Sequence, residues 1–230
     1  MAKPVLLVHG AFTGSWVWDK VIAELKRRGI RTSTVELPSQ RADGTLERDA
    51  EVVRDALKVL DEPAVLVGHS YGGAVITLAS ADNDGVAHLV YVCAALPQAG
   101  EAVGDLIGRD PEPQGDLGAA LEPREDGTAT LKREAARESM FNDATDEQVG
   151  PILDKMGPHA LGTLGEAATG LGWQQHPATY VITLQDRQFS VALQQEFASH
   201  VDTVVKVDAG HGPMFTKPVE IAEAIAAAAT

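Results

Sequence analysis

The stretch Val65–Ser80, VLVGHSYGGAVITLAS, decides the fold. A short apolar run leads into Gly68-His69-Ser70-Tyr71-Gly72, and an apolar segment with helical periodicity follows. This G-x-S-x-G pattern predicts a sharp turn from a buried strand into a helix, where a Cβ at either glycine would meet neighbouring chain. The turn exposes the Ser70 hydroxyl at a helix N-terminus, where partial positive charge favours a developing anion. Ser70 is therefore the predicted nucleophile, and the alternative is a tight turn that carries a surface serine.

Short β-rich runs alternate with longer periodic segments on both sides of this turn. The predicted strands are Val5–Val8, Arg31–Val35, Ala64–Val67, Val86–Ala95, Thr179–Leu184 and Thr203–Val207. The predicted helices of this alternation are Trp16–Arg28, Leu46–Leu60, Tyr71–Ser80, Val191–Ser199 and Val219–Ala228. Repeated β-α units indicate an α/β fold with a mainly parallel, doubly wound sheet.

The alternation breaks between residues 97 and 177, where many Gly and Pro residues occur. The best helical segments there are Glu134–Phe141 and Asp146–Met156. The region is too long for a loop and too irregular for another β-α repeat. We expect an inserted, mostly helical cap at residues 97–177, on a core formed by residues 1–96 and 178–230.

A nucleophilic serine needs a base, and the base needs an acid that orients it. His211 lies in a glycine-flanked loop directly after the last predicted strand, so it is the predicted base. Asp186 follows the strand before that one and is the predicted acid. The rival acids are Asp208, three residues before His211, and the pair Glu101 and Asp105, which follow the fourth strand.

The other six histidines are assigned no catalytic role. His9 is expected to brace the loop after the first strand, and His69 is expected to pack away from the serine. Most of the remaining four are expected to be solvated: His88, His159, His176 and His200.

A serine that attacks a carbonyl group produces an oxyanion, and two backbone amides are needed to hold it. One is the amide of Tyr71, and the other is the amide of Ala11 or Phe12, in the glycine-containing loop after the first strand. The expected substrate-binding residues, each of which has core packing as its alternative role, are Phe12, Tyr71, Phe141, Met156, Trp173 and Met214.

Composition limits the classes of partner. The 230 residues fit one domain, and 19 Lys and Arg against 33 Asp and Glu give a net charge of −14. Such an acidic chain repels phosphate backbones and anionic membranes, so we expect no nucleic-acid and no membrane partner. The single cysteine, Cys93, lies in an apolar run and is expected to be a buried small hydrophobe. That cysteine usage and the absence of a recognisable export signal lead us to expect a cytoplasmic protein.

Cofactor and metal sites are not expected. The glycines of the two loops match neither the dinucleotide-binding fingerprint nor the P-loop, which argues against a nucleotide-binding protein. Cys and His residues do not occur at metal-ligand spacing in the sequence.

The motifs together resemble the α/β-hydrolase superfamily, and most closely its compact, cofactor-free branch of esterase-like hydrolases, plant methyl-ester esterases and hydroxynitrile lyases. The residues that carry the resemblance are Val8–Phe12, Trp16, Val67–Val75, Tyr91–Ala95, Asp186-Arg187, Gly210-His211, Met214 and Pro218. The resemblance implies a Ser70–His211–Asp186 triad and a pocket shaped by the cap.

The resemblance also separates esterase from lyase. Lyases of this branch that use the same triad carry a threonine after the first-strand histidine and a lysine after the catalytic histidine. Here those positions are Gly10 and Gly212, which cannot stabilise a departing cyanide. The hypothesis is therefore a serine hydrolase for a small carboxylic ester, or a lactone or thioester. A ligand-binding protein and a non-hydrolytic tailoring enzyme on the same scaffold stay open as alternatives, as does a homodimer.

Overall fold

Six parallel strands form the central sheet of the chain, whose computed structural model describes residues 2–230. All strands, in chain order, are β1 (Val5–Val8), β2 (Thr32–Thr34), β3 (Ala64–His69), β4 (Val86–Val92), β5 (Leu121–Pro123), β6 (Thr128–Leu131), β7 (His159–Ala160), β8 (Ala178–Thr183) and β9 (Thr203–Val207). The central sheet has the order β2-β1-β3-β4-β8-β9, and each neighbouring pair runs parallel. The predicted mainly parallel α/β sheet is confirmed.

The helices connect these strands and cover both faces of the sheet. They are α1 (Asp19–Arg27), α2 (Leu46–Lys58), α3 (Gly72–Ala79), α4 (Val103–Gly108), α5 (Leu117–Ala120), α6 (Arg133–Ser139), α7 (Asp146–Leu153), α8 (Val191–Ala198), α9 (Pro213–Thr216) and α10 (Pro218–Ala228). The first predicted helix begins as a 3-10 turn at Ser15–Trp18 and becomes α-helical only from Asp19. The predicted helices of the alternation are therefore present, with ends that differ by a few residues.

The continuous apolar runs of β1 and β3 result from burial on both faces. Leu6 and Leu66 pack into one core cluster with α2, α3 and α8, while Leu7 and Val65 pack into the other with α1 and α10. Because successive side chains of a strand point to opposite faces, each position must be apolar when both faces are covered.

Residues 97–177 contain a small sheet that the sequence analysis did not predict. Strands β5, β6 and β7 pair antiparallel in that order, beside the short helices α4 to α7. The dipeptide Asp126-Gly127, a hairpin signal, lies in the turn between β5 and β6, and Gly127 has φ of 85°. Strands of two to four residues are too short for alternation to stand out. The division of the chain into a core unit and a cap unit stays a prediction.

None of the helices among residues 2–230 is both long enough and apolar enough to cross a bilayer.

Candidate active site

Ser70 lies at the turn between β3 and α3 with φ of 52°, a left-handed conformation that is uncommon for a residue with a side chain. A Cβ at Gly68 would lie 2.6 Å from the carbonyl oxygen of Gly72, and one at Gly72 would lie 2.6 Å from that of His9. Both glycines are therefore required by close backbone approach. The Ser70 carbonyl accepts hydrogen bonds from the amides of Gly73 and Ala95, at 2.9 and 3.0 Å, which fix the turn.

His211, in the loop between β9 and α9, connects the serine to an acid. Its Nε2 lies 2.8 Å from Ser70 Oγ, and its Nδ1 lies 2.8 Å from Asp186 Oδ2. A carboxylate only accepts hydrogen bonds, so the ring proton of the neutral imidazole is on Nδ1. Nε2 then accepts from the Ser70 hydroxyl, as a general base must.

The Asp186 carboxylate is buried and fully hydrogen-bonded. Oδ1 accepts from the amides of Gln188 and Phe189, at 2.7 and 3.1 Å. Oδ2 accepts from the Thr183 hydroxyl at 2.8 Å as well as from His211. These donors fix the direction in which the carboxylate faces the imidazole.

The rival acids do not contact His211. Asp208 is exposed and accepts from the Gln185 side chain at 2.7 Å. Glu101 pairs with Arg109, and Asp105 accepts from the amide of Ala102.

The two histidines that flank the serine have structural contacts. His69 is buried and donates from Nε2 to the carbonyl oxygen of His211 at 2.8 Å; burial lowers its pKa to about 3. His9 Nε2 accepts from the amide of Leu37 at 3.2 Å, so Nδ1 donates to the carbonyl oxygen of Gly10 at 2.8 Å. Burial also lowers the pKa of His9. The bracing role predicted for His9 is confirmed.

The fold brings together one group of possible metal ligands that sequence spacing did not reveal. Nitrogen and sulfur atoms of His69, Cys93 and His211 lie within 4.8 Å of one another. Cys93 is buried, as expected, which raises the pKa of its thiol. Both ring nitrogens of His211 already contact Ser70 and Asp186, and His69 Nε2 donates to a carbonyl. The imidazole of His211 and Nε2 of His69 are thus already used in hydrogen bonds, and the three side chains are fewer than the four ligands of a structural zinc site.

The predicted oxyanion donors lie on either side of the serine. No residue within the described part of the chain accepts a hydrogen bond from the amides of Ala11, Phe12 or Tyr71. Phe12 has φ of 61°, and its carbonyl oxygen accepts from the amide of Gly157 at 3.0 Å. The Tyr71 hydroxyl donates to Asp49 Oδ2 at 2.8 Å.

A cavity of about 40 Å³ adjoins Ser70 and His211. Two of the residues proposed to bind substrate, Phe12 and Tyr71, are among its lining residues. Its other lining residues are mainly apolar and are Ala11, Val103, Ile107, Leu117, Leu131, Met140, Leu164, Gln188 and Phe189. A second cavity, of about 240 Å³, shares Ile107, Leu117 and Gln188 with the first and has more polar walls.

The other four predicted pocket residues lie elsewhere, which corrects the expected lining. Met214 is buried in the core cluster under α10, and Phe141 packs edge-on against Phe215 at 5.7 Å. Met156 borders a separate cavity beside Leu153. The Trp173 indole donates to the carbonyl oxygen of Pro97 at 3.2 Å. Phe141, Met156 and Trp173 pack on the two core clusters of the sheet. They therefore help to attach residues 97–177 to the sheet.

Some site residues were missed by the sequence analysis. His159 is one of four histidines of which most were expected to be solvated. It is buried against Phe12 and Tyr71, because the small antiparallel sheet carries it inward. Asp49 of α2 is fully buried, which raises its pKa, and it accepts from Tyr71 and from the amide of Ser39. A charged residue on the apolar face of α2 could have indicated that Asp49 is buried for a reason other than core packing. The sequence around His159 contains no comparable indication of burial.

Two adjacent residues outside the sheet contact the loop of the acid and the helix that follows the base. Asn142 Nδ2 donates to the carbonyl oxygen of Gln185 at 2.9 Å, next to Asp186. The Thr216 hydroxyl, five residues after His211, donates to Asp143 Oδ2 at 2.6 Å. The Asn142-Asp143 pair therefore connects residues 97–177 to the loop of Asp186 and to helix α9, which directly follows the loop of His211.

The chain is similar to known proteins over most of its length. The model of the alpha/beta hydrolase family matches residues 5–224. A pyrethroid hydrolase of Sphingobium wenxiniae is 29% identical over 96% of this chain and 86% of its own. Methylesterase 2 of Arabidopsis thaliana is 26% identical over 93% of this chain and 90% of its own. The crystal structure of a pyrethroid hydrolase from Sphingobium faniae JZ-2 has a TM-score of 0.85 and 24% identity, with 100% of this chain and 98% of that chain covered, and it shares the fold.

Proposed function

This chain belongs to the alpha/beta hydrolase family and is a carboxylic-ester hydrolase of that type, and from this premise we propose that it cleaves a small ester through an acyl-enzyme on Ser70. The observation that carries the proposal is the hydrogen-bonded series Ser70–His211–Asp186, with 2.8 Å at each link. A hydroxyl, an imidazole and a carboxylate in this order are the groups that nucleophilic acyl transfer needs.

Acylation begins when Ser70 Oγ attacks the ester carbonyl carbon and its proton passes to His211 Nε2. The carbonyl π electrons move to oxygen, and the amides of Tyr71 and of Ala11 or Phe12 hold the resulting oxyanion. Each such donor lowers the barrier by about 3 kcal/mol. The tetrahedral intermediate then collapses, the bond to the leaving oxygen breaks, and His211 gives its proton to the departing alcohol.

Deacylation repeats these steps with water. His211 Nε2 takes a proton from the water, whose oxygen attacks the acyl carbon, and the intermediate releases the acid while the proton returns to Ser70 Oγ. Throughout, Asp186 stabilises the imidazolium and keeps Nδ1 protonated.

The substrate class follows from the walls of the cavity. They are mainly apolar, and none of the described lining residues except His211 is acidic or basic, which favours a small neutral ester. A lactone or thioester presents the same carbonyl to Ser70 and belongs to the same proposal. Gly212 supplies no cation for a lyase reaction, in keeping with hydrolysis.

The deciding experiment compares the wild-type enzyme with Ser70→Ala. We expect Ser70→Ala to lose hydrolysis of p-nitrophenyl acetate and labelling by a fluorophosphonate, and to keep the wild-type circular dichroism spectrum. Ser199→Ala, at an exposed serine, is the control and should behave like the wild type. In ¹⁸O-labelled water the wild-type product acid should carry the label, which separates hydrolysis from acyl transfer and from binding alone. Activity retained by Ser70→Ala would refute the mechanism.

A further inference from the structure

His159, the first residue of β7, inserts its ring between two aromatic side chains at the candidate active site. The centre of its ring lies 5.4 Å from that of Phe12 and 4.8 Å from that of Tyr71, to which it is nearly perpendicular. The side chain is 1% exposed. It is thus part of a continuous aromatic contact from residues 97–177 to the loops beside Ser70.

The orientation of this ring is fixed by hydrogen bonds. The Thr163 hydroxyl donates to the carbonyl oxygen of Ala160 at 2.8 Å, so it accepts from His159 Nε2, also at 2.8 Å. Burial lowers the pKa of His159 to about 3, so the imidazole is neutral with its proton on Nε2. A neutral, anchored ring acts through contact and not through charge.

Both neighbours of His159 are among the residues whose amides are proposed to hold the oxyanion, with Ala11 as the alternative to Phe12. Phe12 is also tied to this region through the hydrogen bond from the Gly157 amide to its carbonyl oxygen. Tyr71 is held at its other end by Asp49, at 2.8 Å. Because φ at Phe12 is 61°, its strained backbone needs outside contacts to stay in place.

We propose that His159 is a positioning residue that holds the amides of Phe12 and Tyr71 in the direction of the developing oxyanion. This inference rests on the acyl-enzyme mechanism proposed above. Oxyanion stabilisation depends on donors that are oriented before the reaction. A displacement of about 1 Å at a reacting centre costs about 100-fold in rate, so loss of this contact should reduce turnover more than substrate binding.

The test compares His159→Ala and His159→Phe with the wild type, using active-site titration, p-nitrophenyl ester kinetics, and the affinity for a trifluoromethyl ketone, which forms an oxyanion adduct with serine. We expect His159→Ala to lower kcat per active site by about 10- to 100-fold, with KM changed by less than about threefold. The inhibition constant for the ketone should rise by the same factor as kcat falls. His159→Phe keeps a ring between Phe12 and Tyr71 and should recover part of both losses.

A matched control is His88→Ala. His88 also contacts a threonine hydroxyl, Thr179 Oγ1 at 2.8 Å, but it lies in the first half of β4, away from Ser70. The His88→Ala variant should keep the wild-type kcat and ketone affinity.

A lower melting temperature in His159→Ala, with kcat and ketone affinity at wild-type values, would show a purely structural role and overturn the inference. An inactive Ser70→Ala beside a fully active His159→Ala would refute this inference alone, whereas an active Ser70→Ala would refute the acyl-enzyme mechanism itself.

Discussion

Asp186 receives four hydrogen bonds, and they come from its own loop, from β8 and from His211. The carboxylate therefore cannot rotate without losing several partners. Asp208 is closer to His211 in sequence but faces solvent beside Gln185. Asp186 reaches His211 because the two residues follow β8 and β9, which are neighbours in the sheet. Distance along the chain does not decide which aspartate contacts the imidazole.

Substitution of these two aspartates separates their roles. Asp186→Asn should lower kcat by about 10⁴-fold, because an amide can favour the wrong imidazole tautomer and no longer stabilises the imidazolium. Asp208→Asn is the matched control, and its kcat should equal that of the wild type. Steady-state kinetics with one p-nitrophenyl ester measures both. Equal losses in the two variants, or a larger loss in Asp208→Asn, would contradict the assignment of Asp186.

The contrast between His211 and His159 shows which side chains a sequence can reveal. His211 follows a strand in a regular β-α alternation, so its place at the end of the sheet could be predicted from the order of elements. His159 lies where no regular repeat exists, and its inward direction depends on a two-residue strand paired with β6. Local sequence carries too little information to fix such a contact.

Leu117, the first residue of the short helix α5, lines both the cavity beside Ser70 and the larger one outside it. The inner cavity, at about 40 Å³, has room for a few water molecules and is much smaller than an ordinary small-molecule site. Side chains such as Leu117 must therefore move aside when an ester enters.

Shortening this side chain should connect the two spaces. In Leu117→Ala, kcat/KM for p-nitrophenyl octanoate relative to the acetate should rise by about tenfold, since longer acyl chains gain room in the outer cavity. Leu121→Ala, at a leucine of β5 outside both cavities, is the control and should keep the wild-type ratio. An unchanged ratio in Leu117→Ala would show that α5 does not limit chain length.

The elements differ in how well their sequence predicted them. Strands β1 and β3 are recognisable from continuous apolar runs, because both faces of each strand are buried. Helix α2 is recognisable from apolar residues at helical spacing over 13 residues. The β5–β6–β7 sheet joins segments of two to four residues, and β7 pairs across about thirty intervening residues. The pairing of these strands depends on tertiary contacts, which local sequence patterns do not reveal.

The net charge of −14 makes the average electrostatic potential around the molecule negative. The outer cavity includes Asp110, Asp116 and Glu138, and Arg187 is the basic residue among its described lining. An anionic ester is therefore repelled on its way to Ser70, whereas a neutral ester is not.

Salt should reveal this repulsion. Between about 10 mM and 150 mM salt the screening length falls from about 30 Å to about 8 Å. Over that range kcat/KM for a p-nitrophenyl ester with a carboxylate at the end of its acyl chain should rise several-fold, while the value for the uncharged ester of equal length stays constant. A rise of the same size for both esters would point to a general salt effect on the protein and not to charge repulsion.

The contacts of Asn142 and Asp143 set a condition for chimeric enzymes. A designer who transplants residues 97–177 from a relative to alter substrate preference would also exchange the two side chains that hold Gln185 and Thr216. The recipient would then keep Ser70, His211 and Asp186. It would lose the hydrogen bonds that hold the Asp186 loop and helix α9 in position. A functional graft should therefore retain this dipeptide, or bring along the donor's partner loops as one unit.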